Sequence, residues 1–322
     1  MLRPVNRFVI STSTEVPLWN LQPSQMSPRK IFHLKLRSGT FTLGKRTLVM
    51  GVLNVTPDSF SDGGKFFDAK RAVQHALAMQ SDGADIVDVG AESTRPGSQE
   101  ISVAEELSRL LPVLEQLRGK LKIPISVDTQ KATVAEMALG AGAEIVNDIS
   151  GLRTDPELAR IVARRGAALI LMHMRGTPRT MQKGPFARDV MRDVIGGLKQ
   201  SIATAKKYGV RSSQMVIDPG IGFGKNYAQN YELLAKLPKL ATLGYPLMVG
   251  TSRKGFLGAT LAKNGKPAPA EERIWGTAAT VAASILNGAH IVRVHDVAEM
   301  KQIAVVADCV VRPELLQKNE RD

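Results

Sequence analysis

From Thr47 onward, short apolar segments alternate with longer amphipathic ones. The short segments lie at 48–53, 86–89, 125–127, 145–147, 168–172, 215–217, 247–249 and 291–294. They are about five residues long and rich in β-branched side chains, as expected of strands covered on both faces in a parallel sheet. Stretches with helical spacing separate them at 69–82, 103–117, 133–141, 156–165, 189–208, 231–240 and 271–287, with a last one starting at Val297. Strict alternation of eight such units over about 270 residues predicts the α/β class and, within it, a (β/α)8 TIM barrel. An open doubly wound sheet is the competing arrangement. Ahead of the barrel, residues 31–43 alternate around Ser38-Gly39, which predicts a β-hairpin. Residues 1–30 carry Pro4, Pro17, Pro23 and Pro28 and no sustained period, so a flexible extension is expected there, with 31–322 as a single domain. Arg3 and Arg7 with the nearby Ser and Thr faintly resemble a transit peptide, against which Glu15 and Trp19 speak.

Polar residues sharpen this picture because they fall where the strands end. Asn54, the cluster from Gly90 to Arg95, Asp128, Asn147-Asp148, His173, Asp218, the run Thr251-Ser-Arg-Lys254, and Arg293 with His295 each follow or close a predicted strand. The C-terminal ends of barrel strands face one mouth, so these groups are expected to converge there.

Composition changes little. Hydrophobic residues at 43% and charged residues at 23% suit a globular core, and no apolar run approaches the ~18 residues of a membrane span. The lone Cys309 excludes an internal disulfide framework and a Cys-rich zinc site, and its apolar surroundings at 305–311 predict a buried, inert thiol. The formal charge of +13 raises the question of nucleic acid. Six basic residues against one acidic residue in positions 1–40 account for +5 of it, and no basic run is interleaved with aromatics. A field that draws in small anions is the better reading, with neither nucleic acid nor membrane as partner.

Each motif admits a functional and a plainer reading. The segment Asn54-Val-Thr-Pro-Asp-Ser-Phe-Ser-Asp-Gly-Gly64 is long for a strand-to-helix connection, and is either a lid or an ordinary turn. Ser93-Thr-Arg-Pro-Gly97 puts a planar cation suited to phosphate or carboxylate on a second loop, unless Arg95 merely makes a surface salt bridge. In Asp218-Pro-Gly-Ile-Gly-Phe-Gly-Lys225 the glycines at 220, 222 and 224 miss the dinucleotide spacing and instead allow a close backbone approach beside Asp218. Residues 255–261 have the character of a short helix that helps hold an anion. Arg293 and His295, two apart on a strand, project to one side. His173 is either a site residue or a buried structural histidine. Zinc-ligand spacing, G-x-S-x-G and a Walker loop are all missing, which disfavours zinc hydrolases, serine hydrolases and P-loop kinases. Local chemistry alone leads to a barrel enzyme for an anionic ligand rich in hydrogen-bonding groups.

In their order along the chain, Met50-Gly-Val-Leu-Asn-Val-Thr-Pro-Asp-Ser-Phe-Ser-Asp-Gly-Gly64, Gly90-Ala-Glu-Ser-Thr-Arg-Pro-Gly97, Ser126-Val-Asp-Thr129, Asn147-Asp-Ile-Ser-Gly151, Leu171-Met-His-Met174, Asp218-Pro-Gly-Ile-Gly-Phe-Gly-Lys225, Thr251-Ser-Arg-Lys254 and Arg293-Val-His-Asp296 resemble the dihydropteroate synthases, a family of pterin-binding TIM barrels. The resemblance runs from about Ile31 to Val311. It implies condensation of 6-hydroxymethyl-7,8-dihydropterin pyrophosphate with p-aminobenzoate, pyrophosphate leaving before the amine attacks. Asp128, Asn147 and Asp218 would bond the pterin edges, Lys254 its ring oxygen and nitrogen, Met172 would line the slot, and Arg293 would stack on the ring. Asn54, Thr94, Arg293 and His295 would hold pyrophosphate, with Mg²⁺ bridging Asn54 and the phosphate oxygens. Asp62 would face the pterin-methylene cation, and Arg95 and Lys254 complete the catalytic set. Phe60, Thr94, Pro96, Phe223, Lys254 and Gly255 would form the p-aminobenzoate pocket. The resemblance departs at Gly255, where the family often has a serine that contacts the p-aminobenzoate carboxylate; a backbone N–H can serve instead. It further implies sulfonamide sensitivity, a cytoplasmic and monofunctional enzyme, and a homodimer formed through barrel helices, with the small-residue helix 277–283 as the expected packing face. A corrinoid-linked methyltransferase has no use for Arg293 and His295 as a pyrophosphate pair, and a silent pterin-binding paralogue has none for Asn54, Asp62, Arg95, Lys254 and His295.

Overall fold

Parallel ladders form the ring. The computed structural model describes residues 29–56, 64–95 and 97–315. A two-stranded antiparallel hairpin, β1 (Phe32–Lys35) and β2 (Thr40–Leu43), precedes eight parallel strands. These are β3 (Leu48–Asn54), β4 (Ile86–Gly90), β5 (Ile125–Asp128), β6 (Ile145–Asp148), β7 (Ala168–Met172), β8 (Met215–Asp218), β9 (Met248–Val249) and β10 (Ile291–Val294), in the order β8-β7-β6-β5-β4-β3-β10-β9. One parallel bridge between Ile217 and Leu247 joins the two ends of that order, so the sheet closes on itself as a TIM barrel.

The helices are α1 (Gly64–Ser81), α2 (Val103–Leu117), α3 (Ala132–Ala141), α4 (Glu157–Arg165), α5 (Val190–Lys207), α6 (Tyr227–Ala235), α7 (Gly255–Thr260), α8 (Ile274–Leu286) and α9 (Val297–Val311). Local chemistry sets their ends. Ser102 caps α2 by accepting from the Glu105 N–H, Asp189 caps α5 through Arg192, and Gly166 closes α4 in the left-handed region after Arg164 and Arg165. Three helices differ from the periodicity, α1 by starting at Gly64, five residues before the expected 69. The helix expected at 231–240 starts at Tyr227, where Asn226 and Gln229 form a capping box, and gives way at Lys236 to a 3₁₀ turn. Pro238 explains that break, since it lacks an N–H and disfavours helical geometry at the residue before it. Likewise α8 begins three residues later than expected, after a 3₁₀ turn over Ala270–Arg273.

Stepping two residues along a strand stays on one face. On the lumen face the lower positions are Leu48, Met50, Ile86, Ile145, Ala168, Ile170, Val216, Met248 and Ile291, which pack with Leu34, Leu36 and Leu43 of the hairpin. The hairpin therefore plugs the floor of the barrel. Further up the lumen face come Asp88, Asp128, Asn147, Asp218 and Arg293, so β4, β5, β6, β8 and β10 turn polar toward the mouth, while β7 stays apolar to Met172. The outward positions, such as Val49, Val87, Val127, Val146, Leu169, Ile217 and Val292, pack in the large core against the helices.

Cys309 is half-buried, which corrects the expectation of a buried thiol. Helix α9 turns Val297, Met300, Ala304, Ala307 and Asp308 inward and leaves Val305, Val306 and Val310 exposed, so an all-apolar run does not mean burial on every side. Residues 1–28, expected to form most of the extension, lie outside the described residues. Among those described, no helix is long and apolar enough to cross a membrane.

Candidate active site

A cavity opens at the mouth. Thr94, Asp128, Asn147, Met172, Asp218, Phe223, Lys254, Arg293 and His295 line it together, with Val52, Ile149, Met248, Gly250 and Ser252. Nine of the fifteen residues singled out from the sequence thus meet in one place, from seven of the strand ends. Asn54 ends β3 beside Gly90 of β4, outside that lining. Arg95 is exposed on the loop after β4, and Gly255 is exposed at the start of α7, where an added Cβ would meet nothing within 4 Å. Phe60, Asp62 and Pro96 lie outside the described residues.

The polar wall is one network. Arg293 donates from Nε to Asp88 Oδ2 at 2.6 Å and from Nη2 to Asp128 Oδ2 at 2.7 Å. Asn147 Nδ2 donates to the same Asp88 Oδ2 at 2.9 Å, which aims its amide oxygen away. That oxygen, Asp88 Oδ1 and Ser126 Oγ are buried and have no partner in the protein. Orphaned buried acceptors are costly, and of these three residues Asn147 is the one that lines the cavity, which sets its amide oxygen aside for a ligand's donor. Asp88 was missed in the sequence because it sits inside a strand; a lone acid at the lumen phase of Ile86–Gly90 was the available signal.

The opposite wall comes from the glycine loop and the residues after β9. Asp218, itself buried, accepts from the Gly220 N–H at 2.6 Å. Gly220, Gly222 and Gly224 all have positive φ, and an added Cβ at Gly220 or Gly224 would strike the backbone of His173 or Arg175, so only glycine lets this loop pack down. Phe223 then lies 4.5 Å from the Lys254 Nζ, face to cation, and Lys254 also donates to the Ile221 carbonyl. Arg253 is left-handed at φ 58, a strain of about 1 kcal/mol for a non-glycine residue. Its guanidinium is paired with Asp296, its N–H donates to Thr277 Oγ1 at 3.1 Å, and its carbonyl accepts from Arg273 at 2.8 Å. These bonds hold the kink that turns Ser252 and Lys254 into the cavity.

Burial sets the protonation states. Desolvation, with repulsion from Asp88, Glu106 and Asp148, outweighs Arg293 and lifts Asp128 to about 7. Asp218 also rises through burial, against Lys254. Burial lowers Lys254 to about 8 despite Asp218. Burial opposes the Arg293 charge, but Asp88 and Asp128 hold it above its ordinary value. His295 falls to about 3 through burial and then Arg293, so its ring is neutral at pH 7. Ser252 Oγ accepts from the His295 backbone N–H at 3.1 Å and lies 3.0 Å from His295 Nδ1; a Ser252 hydroxyl that donates to Nδ1 would leave the ring proton on Nε2.

His173 takes the structural alternative. Its ring is buried, 3.0 Å from the fully buried Lys225 Nζ, and pressed against Gly197; burial and then Lys225 lower it to about 2. Asp148, next to Asn147, caps its own turn through the Ser150 and Leu152 N–H groups. Among the described residues no group of three or more His, Cys, Asp or Glu is arranged to hold a metal.

Residues 50–295 match the family model for pterin binding enzymes. A dihydropteroate synthase of Synechocystis sp. is 49% identical over 272 residues, 84% of this chain and 93% of that protein. Among solved structures, dihydropteroate synthase from Clostridium difficile in the presence of pteroic acid superposes with TM-score 0.79 at 44% identity, over 84% of this chain and 99% of that one. The Yersinia pestis dihydropteroate synthase in complex with a sulfonamide drug superposes with TM-score 0.78 at 42% identity, over 88% and 99%.

Proposed function

The chain belongs to the pterin-binding enzymes as a dihydropteroate synthase, and from that premise we propose how its own residues divide the reaction. The enzyme is a transferase that joins 6-hydroxymethyl-7,8-dihydropterin pyrophosphate to p-aminobenzoate. The observation that carries the division is the single cavity shared by Asn147, Asp218, Lys254 and Phe223. A pterin presents donors and acceptors on one edge. Asn147 Oδ1 and the Asp128 and Asp218 carboxylates accept from its ring N–H and amino groups, and Lys254 donates to its ring oxygen and nitrogen. Met172, with Ile149 in the same apolar cluster, forms one side of the slot. The Arg293 guanidinium, pinned by Asp88 and Asp128, lies across the ring.

Chemistry begins as the bond between the pterin methylene carbon and the diphosphate oxygen breaks, both electrons leaving with pyrophosphate. The amine nitrogen of p-aminobenzoate then bonds the methylene carbon and releases one proton. The amine is neutral near pH 7, so no proton-abstracting base is required ahead of attack. The protein's work is electrostatic: Arg293, Thr94 and the His295 Nε2–H stabilise the departing diphosphate, and Asp62 the cation. Asn54 offers one neutral amide oxygen. Asn54 would help hold a Mg²⁺ that arrives with the diphosphate, and the ion would supply charge neutralisation there.

Phe60, Thr94, Pro96 and Phe223 enclose the aminobenzoate ring, while Lys254 and the Gly255 N–H reach its carboxylate. Arg95 closes over the site late. Residues 31–322 act as one domain in this reading, and the bacterial relatives support a cytoplasmic location. A homodimer is supported by exposed Trp275 on α8 and Val305, Val306 and Val310 on α9. The small-residue stretch 277–283 is a poorer face, since Thr277, Ala278, Thr280 and Val281 are buried within the chain.

Two measurements test this division. Arg95→Ala should lower turnover about tenfold or more while pterin affinity stays near wild type, because its loop acts late; equal losses in both would remove Arg95 from that role. Sulfamethoxazole should compete with p-aminobenzoate, and failure to compete at millimolar drug would remove the aromatic pocket as assigned.

A further inference from the structure

Behind the loop that carries Thr94 and Arg95 lies a buried charge cluster that contributes nothing to the cavity lining. Lys131, at the residue before α3, is buried, and its Nζ donates to Glu106 Oε2 at 2.7 Å, to the Ile101 carbonyl at 2.8 Å and to Glu92 Oε2 at 2.9 Å. Glu92 Oε1 in turn accepts from the Ile101 N–H at 3.0 Å. One ammonium therefore ties residue 92, where the loop leaves β4, to residue 101, where it enters α2. Arg109 adds a bond to the Ala91 carbonyl at 3.0 Å. Between these fixed ends, Thr94 lines the cavity and Arg95 is exposed.

The root of the cluster is the binding wall itself. Lys131 stands three residues after Asp128; its N–H donates to Thr129 Oγ1 at 3.3 Å, and the Thr129 N–H donates to the Asn147 carbonyl at 3.2 Å. Glu106 is fully buried with Oε1 unpartnered. Burying two carboxylates and a lysine is a poor way to gain stability compared with apolar packing, and such a cluster defines geometry better than it adds free energy. The geometry it defines is the width of the loop neck.

We propose that Lys131 is a positioning residue that clasps the neck of the 92–101 loop and so sets where Thr94 and Arg95 stand over the bound substrates, touching neither. The inference rests on the reading of Arg95 as a late-acting group. Lys131→Met removes the clasp at similar length. It should lower kcat about tenfold and raise the KM for p-aminobenzoate several-fold, while the Kd for the pterin substrate stays within about twofold. Lys131→Arg, which can reach the same three acceptors, should recover most of kcat. A buried pair at the other end of the barrel controls for stability alone: Arg29→Met should lower Tm and leave kcat unchanged. A folded Lys131→Met enzyme with wild-type kcat overturns the proposal, as does a parallel loss of pterin affinity. Should Lys131→Met fail to fold, Glu92→Gln, which keeps the oxygen for Ile101, should slow turnover about threefold with pterin Kd unchanged; wild-type turnover there overturns it equally. Arg95→Ala measured alongside separates the two readings. Wild-type turnover in Arg95→Ala removes the role of Arg95, whereas slowed Arg95→Ala beside wild-type Lys131→Met removes the clasp alone.

Discussion

The floor and the mouth of this barrel both bury carboxylates and treat them in opposite ways. At the floor, Asp308 on α9 accepts from Arg29, from the Thr47 N–H at 2.6 Å and from Thr47 Oγ1 at 2.8 Å, and Arg29 also reaches Thr47 Oγ1 and the Ala289 carbonyl, each at 2.6 Å. Every oxygen of that carboxylate is engaged. At the mouth, Asp218 has one backbone partner, Asp128 shares Arg293 with Asp88, and acceptor atoms on Asp88, Asn147 and Ser126 have none. A carboxylate whose partners are all internal is part of the scaffold. One held short of partners in a dry cavity is kept for something that arrives. The floor group comes from α9 and from the residues that precede β1 and β3, whereas the mouth carboxylates sit on the strands β4, β5 and β8.

The contrast breaks first at its most extreme members. Asp218→Ala should weaken pterin binding more than a hundredfold, about 3 kcal/mol, with Tm unchanged or raised, because a desolvated buried carboxyl is removed. Calorimetric titration with matched thermal melts reads both, and unchanged affinity would sink the assignment. Arg29→Met should do the reverse, costing about 3 kcal/mol of stability by leaving Asp308 buried without its cation, with kcat/KM intact. Denaturant melts that show no loss would make the floor pair incidental.

The pH profile sharpens the same comparison with a smaller effect. Asp128 ionises at about 7 in the free enzyme and Lys254 loses its proton at about 8, so kcat/KM for the pterin substrate should rise through the first value and fall through the second. A flat profile from pH 6 to about 9 would contradict the two shifts together. Because Asp128 is raised from its ordinary 3.8, its contribution to stability is present below that value and is lost as pH rises through about 7. The smallest effect belongs to Gly255→Ser. The new side chain meets open space at a helix start, and it should change the KM for p-aminobenzoate by no more than about threefold. A much larger change would mean that the backbone N–H does not serve the carboxylate.

The floor and the outer core were legible in the sequence as short apolar β-branched segments, amphipathic helices and an alternating hairpin ahead of them. Strand ends were off by at most one residue; at β9 the residue lost from the strand, Leu247, serves as the closing bridge. Helix ends drifted where caps and Pro238 went unread: α6 starts at Tyr227 behind the Asn226 capping box and stops before Pro238, not at 231–240. At the mouth, Asn147, Asp218, Lys254 and Arg293 announced themselves as polar punctuation after apolar runs. Asp88 did not, because it lies within its strand, and Lys131 did not, because its partners Glu92, Ile101 and Glu106 come from elements whose approach only the closed barrel creates. Partners brought together by tertiary packing leave no spacing signal.

The most direct test of the mouth as a synthase site is product formation by the purified chain given 6-hydroxymethyl-7,8-dihydropterin pyrophosphate, p-aminobenzoate and Mg²⁺. One pyrophosphate should appear for each dihydropteroate, with both signals lost when the pterin substrate is omitted or Asp218→Ala replaces the wild type. Dihydropteroate formed equally well by Asp218→Ala, or no dihydropteroate from the wild type, would contradict the account.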